Sequence, residues 1–137
     1  MPGCVLRADG AKFKVDSFLN RSNFKPCIVY HKGEYRFPTS KRKETTSGMN
    51  IIVSNASGNN IKRQIKDAIS FIRRNKDELS RLKKYHGVES LYLDFGINIK
   101  VGHEDSFIQI IRLPEELIHS AGNIGIEIEF TFYPTEC

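Results

Sequence analysis

The chain has 137 residues, 39% hydrophobic and 27% charged, with 9 Phe, 5 Tyr and a net charge of +5. That fits one domain, 1–137, with a core of its own, and excludes wholesale disorder. No stretch approaches the roughly 20 apolar residues of a membrane span, Met1–Arg7 lacks the apolar run of a secretory signal, and an odd count of 3 Cys argues against a disulfide framework.

The pattern of the first third is extended. Cys4 to Val15 reads as a strand broken at Gly10, with Phe13 and Val15 alternating against Lys12 and Lys14. Asp16 is placed to cap a short helix over Ser17–Ser22. Pro26 ends it. Cys27–Tyr30 is a short strand, followed by a turn at His31–Glu34 and a second extended piece through Tyr35 and Phe37. Pro38 to Ser47 is polar and basic, and predicts a mobile loop carrying Lys41, Arg42 and Lys43. Met49–Val53 is a compact apolar strand.

From Ile61 the apolar period changes from 2 to about 3.6. Ile61, Ile65, Ala68, Ile69 and Ile72 share one face of a long helix, which Asn75 interrupts. Asp77–Tyr85 continues it or begins another, and Gly87 is the expected stop. Leu91, Leu93, Phe95, Ile97 and Ile99 then alternate with polar or small residues in a half-buried strand. Gly102–Asp105 reads as a hairpin loop and Phe107–Ile111 as a returning, central strand. Pro114 opens a short helix with Glu115 and Glu116 in its first turn, and Gly122 is expected to close it. Ile126, Ile128, Phe130 and Phe132 alternate in a last strand. The expected fold is α+β: a mainly antiparallel sheet covered on one face by the long amphipathic helix, with two short helices.

Several of these segments together resemble a known family. They are the Lys32-Gly33 turn, the Leu91–Ile99 strand, Arg112-Leu113-Pro114-Glu115-Glu116-Leu117 leading into Gly125-Ile126-Glu127-Ile128-Glu129-Phe130, and Tyr133-Pro134. The layout is similar to that of the bacterial domain-of-unknown-function family 4279, small single-domain proteins of similar length. The resemblance implies a fold and a bacterial, cytoplasmic setting; it implies no activity and no catalytic residues.

Charge is sorted along the chain. Residues 1–86 hold 19 basic and 7 acidic residues, and residues 87–137 hold 2 basic and 9 acidic. Two faces of opposite potential are one consequence, and simple solvation of the surface is the other. There is no P-loop, G-x-G-x-x-G, G-x-S-x-G, H-E-x-x-H or C-x-x-C. His31, His86, His103 and His119 are isolated, and His103-Glu104-Asp105 reads as a solvated loop tip rather than a metal site. Cys27 and Cys4 read as small core residues. No catalytic residue, metal or cofactor is expected.

Three sets of residues remain as candidate sites. Lys41, Arg42, Lys43, Lys62, Arg63, Lys66, Arg73 and Arg74 form a basic surface. Ser57, Gly58, Asn59 and Asn60 form a candidate anion-binding loop before the long helix. Asp94, Glu127 and Glu129 lie on the polar faces of two strands, either as a cluster with perturbed acidity or as a solvated face paired with Lys12 and Lys14. The function expected first is a non-enzymatic protein–protein interaction module, such as an immunity or defence-associated protein, meeting a partner with an acidic surface. If the partner were a nuclease with a basic cleft, the acidic last third would have to make the contact instead. The alternatives are nucleic-acid binding through the basic helix face 61–86, and a small-ligand binder or enzyme using the sheet acids.

Overall fold

The computed structural model of the chain describes residues 3–100 and 109–135. Five strands and four helices follow one another as β1 (Cys4–Gly10), α1 (Val15–Leu19), β2 (Ile28–Tyr30), β3 (Ser47–Ser54), α2 (Ile61–Arg74), α3 (Lys76–Lys84), β4 (Ser90–Lys100), α4 (Glu115–Ile124) and β5 (Glu127–Thr135). The strands form one α+β-type mixed sheet in the order β2-β3-β1-β4-β5.

The β2–β3, β1–β3 and β1–β4 pairings are antiparallel, and β4–β5 is parallel. The parallel pair corrects the expectation of a hairpin after β4. A parallel neighbour needs a long crossover, and here the chain passes through α4 before it returns in the same direction. Of the predicted strand Phe107–Ile111, the described residues 109–111 are not in the sheet, and Ile110 is 79% exposed. The predicted hairpin loop Gly102–Asp105 lies outside the described residues.

One core cluster joins the strands to the helices. Leu6 and Ala8 of β1, Met49 and Ile51 of β3, and Leu91, Leu93 and Phe95 of β4 belong to it. So do Ile65, Ala68, Ile69 and Ile72 of α2, Leu79 and Leu82 of α3, and Leu117 and Ala121 of α4. The α2 positions are those the 3.6 period selects. Asn60 caps α2, its side chain accepting the Arg63 N–H at 3.2 Å. Asn75 separates α2 from α3: its backbone N–H still bonds the Phe71 carbonyl, while its own carbonyl accepts the Leu79 N–H.

Four boundaries differ from the sequence reading. β1 ends at Gly10, and Val15 opens α1 instead of closing a strand. A Cβ at Gly10 would collide with the Gly87 carbonyl, so the close approach of these two backbones needs glycine at 10. α3 ends at Lys84, before Gly87. α4 runs through Gly122 to a left-handed cap at Gly125, where the N–H groups of Gly125 and Ile126 both bond the Ala121 carbonyl. Residues 31–46 form turns, so Tyr35 and Phe37 are exposed loop residues and not a strand. Backbone bonds Gly33 N–H to Glu44 O and Glu44 N–H to Glu34 O, both 2.8 Å, brace that loop.

Candidate functional site: a polar groove on the sheet

Alternation along β1, β3 and β4 sends every second residue away from the core. Arg7, Asp9, Asn50, Tyr92 and Asp94 are these residues, and all five line one groove of about 420 Å³. Thr131 and Tyr133 of β5 complete one wall, and Tyr30, Arg36 and Thr46 the other. Cross-strand register makes rows across this face. Tyr30, Gly48, Asp9 and Ser90 form one, and Asn50, Arg7, Tyr92 and Glu127 the next. Gly48 leaves room for the Tyr30 phenol, which a Cβ at 48 would strike.

The centre of the groove is a closed polar network. Arg7 donates from Nε and Nη2 to Asp94 Oδ2 at 3.2 and 3.1 Å. Thr131 donates its hydroxyl to Asp94 Oδ1 at 2.6 Å. With its amide turned so that Oδ1 faces Arg7, Asn50 accepts from Nη1 at 2.9 Å and donates to the Met49 carbonyl at 3.1 Å. Asp94 and Asn50 are buried, so these partners offset the cost of removing both from water. Arg36 lies over the Tyr30 ring, 3.8 Å from its centroid, with Nε 2.8 Å from Glu44 Oε1 in an ion-pair contact off the line of a hydrogen bond.

The ends of the groove differ from its centre. Burial first, and then the charge of Glu89, hold the Asp9 carboxyl above its ordinary value, against a hydrogen bond from Ser90 and the charge of Arg36. Burial, followed by the charge of Asp9, raises the Tyr30 phenol. Burial, followed by the charge of Glu129, raises that of Tyr92. Glu127 and Glu129 are exposed beside this wall, in register with Tyr92 and Asp94.

The structure thus brings Asp94 and Glu129 together across β4 and β5, as the alternation suggested. The expected pairing with Lys12 and Lys14 is replaced by Arg7, because both lysines lie beyond the end of β1. Arg7 was missed, although its place between Leu6 and Ala8 marks it as facing away from the core. The other predicted residues lie elsewhere. Lys62, Arg63, Lys66, Arg73 and Arg74 are exposed on α2, with Arg63 paired to Asp67 at 3.1 Å and Arg73 to Glu116. Lys41, Arg42 and Lys43 are exposed in the loop before β3, and Lys43 lies 5.8 Å from the centre of the Tyr35 ring.

In the loop before α2, Asn60 is engaged as the cap and the Ser57 hydroxyl accepts the Asn59 N–H at 3.2 Å. The Gly58 carbonyl accepts the Asn98 N–H at 3.0 Å. Cys4 is buried, as expected; Cys27 is exposed and donates to the Asn50 carbonyl at 3.3 Å. No Cys or His is among the groove residues, and no cluster of three or more metal-ligating side chains exists among the described residues. His31 is held by Asp16 at 2.8 Å and Glu34 at 3.2 Å. His103 lies outside the described residues.

A family model described as "Domain of unknown function (DUF4279)" matches residues 3–135. The chain belongs to this family. No curated protein and no solved structure gives a significant match. In this DUF4279 chain, no helix among the described residues is long and apolar enough to cross a membrane. The groove gathers guanidinium, carboxylate, amide and phenol groups on one face of the sheet.

Proposed function

We propose that the chain is a non-enzymatic protein–protein interaction module of the bacterial cytoplasm, of the immunity or defence-associated kind. Its architecture in this reading is a sheet covered on one face by the long helix and docking a partner through the other. The observation that carries the reading is the groove itself, a concave polar surface walled by tyrosines and arginines, the residue types that anchor protein interfaces. The internal pairing of Arg7 with Asp94 gives that surface a fixed shape, which lowers the ordering cost of association.

A second reading is supported by the exposure of Lys62, Lys66, Arg73 and Arg74 on α2 and of Lys76, Lys83 and Lys84 on α3. This basic surface suits an acidic partner protein or, as the alternative, a nucleic acid bound through its phosphates. A tagged pull-down from the native host, with and without nuclease, separates a protein partner from a nucleic acid. A stoichiometric protein that survives nuclease and moderate salt supports the interaction module. Nucleic acid alone, lost as salt is raised, supports the helix surface and overturns the first reading.

A further inference from the structure

We propose that the groove docks a cationic protein surface, with its Asp9 end seating a lysine or arginine side chain of the partner. This rests on the interaction reading above and names the chemistry of the partner.

The case is one of charge complementarity on a shaped surface. The two cations of the groove are committed within the molecule: Arg7 to Asp94 and Asn50, and Arg36 to Glu44 and the Tyr30 ring. Two of the carboxylates around them are held by hydrogen bonds instead: Glu89 accepts the Ala11 N–H at 2.7 Å, and Asp9 accepts one from Ser90. Among the described residues, Asp9, Glu89, Glu127 and Glu129 have no Lys, Arg or His within ion-pair distance. What the face offers an approaching molecule is therefore negative charge, although the whole chain is positive.

Asp9 is the most distinct of the four. It is half-buried in the groove, in the row that carries Tyr30 and next to the row that carries Tyr92. The groups facing it are Arg36, Ser90, Tyr30 and Glu89. A cation arriving there meets a carboxylate beside Glu89 and the Tyr92 phenol, and is opposed by the Arg36 guanidinium seated on the Tyr30 ring. Glu127 and Glu129 extend the same sign along β5, the edge strand of the sheet. An anionic partner would have to displace these contacts or overcome the acids.

The test titrates the ¹⁵N-labelled full chain at low salt with methylguanidinium and with butylammonium, the side-chain analogues of arginine and lysine. Acetate is the anion control. Saturable shifts at the amides of Asp9, Gly48, Ser90 and Tyr92 are expected, with affinity about tenfold weaker in Asp9→Asn and unchanged in Glu115→Gln on α4. Unsaturable shifts spread over all acidic residues overturn the proposal. So does an acetate response at the same amides, which would make the groove an anion site, and so does growth of mass with concentration, which would make a second copy the occupant. If a captured partner still depends on the open face but not on Asp9, the cation seat fails and the interaction reading stands. If the analogues bind at Asp9 while no protein partner needs this face, the interaction reading fails, the docking of a protein fails with it, and Asp9 is left as a seat for small cations.

Discussion

Arg7 of β1 reaches diagonally across to Asp94 of β4, placing Nε and Nη2 on a single carboxylate oxygen at 3.2 and 3.1 Å. The Asp94 side chain is only 8% exposed and Arg7 29%. A charge pair this buried is costly to break from one side, because the partner left behind stays desolvated. Asp94→Asn is expected to lower unfolding free energy by about 3 kcal/mol in urea titration. An unchanged midpoint would mean that water replaces the lost carboxylate.

Asp9 has the opposite energetics. Its pKa is raised in the folded chain, so the folded state binds the proton more tightly than the unfolded one. Its contribution to stability is complete below the ordinary carboxylate range and is lost as pH rises through the folded value. Asp9→Asn is therefore expected to raise Tm at neutral pH and to lose that advantage in acid. Thermal melts across a pH series check it; equal melting of both proteins at neutral pH would contradict it.

The raised phenols of Tyr30 and Tyr92 follow the same rule at the alkaline end. Each favours the folded state while protonated, and this is lost as pH rises through its folded value. A phenolate absorbance titration is expected to show late-titrating tyrosines in the native protein, with one lost in Tyr30→Phe and another in Tyr92→Phe. A native titration matching that of the unfolded chain would contradict the burial of both rings.

The two cysteines within the described residues differ in accessibility. Cys4 is buried and its thiol is pushed far up, by burial first and then by Asp94 and Asp67. Cys27 is exposed. In a Cys137→Ser background, one thiol is expected to react with a disulfide reagent under native conditions and the second only on unfolding. Rapid labelling of both would show that β1 opens readily.

Some of this organisation was legible in the residues. Leu91–Ile99 alternates over enough positions to fix a strand and its buried face, and Ile65, Ala68, Ile69 and Ile72 do the same for α2. Asn75 was readable as a break because its side chain competes for backbone bonds, here the Phe71 carbonyl at 2.9 Å. Pairing direction was not legible: alternation places Glu127 and Glu129 on one face of β5 but is the same for parallel and antiparallel neighbours. Cys27 misled because its apolar neighbours Ile28 and Val29 suggest burial, whereas it precedes an edge strand of three residues. In the groove, the acids of β4 and β5 were identifiable from sequence, but Arg7, Asn50 and Tyr30 converge on them only through sheet order. Arg36 arrives from a loop that carries no periodic signal.

The most direct measurement is partner capture from the native host, after nuclease treatment, with two charge variants of the full chain. One carries Glu127→Lys with Glu129→Lys, both exposed on the groove side of β5; the other carries Lys62→Glu with Lys66→Glu on α2. If the groove face is the docking surface for a cationic partner, the β5 variant loses a stoichiometric protein that the α2 variant retains. Loss from the α2 variant with retention by the β5 variant would contradict the account and move the interface to the helices.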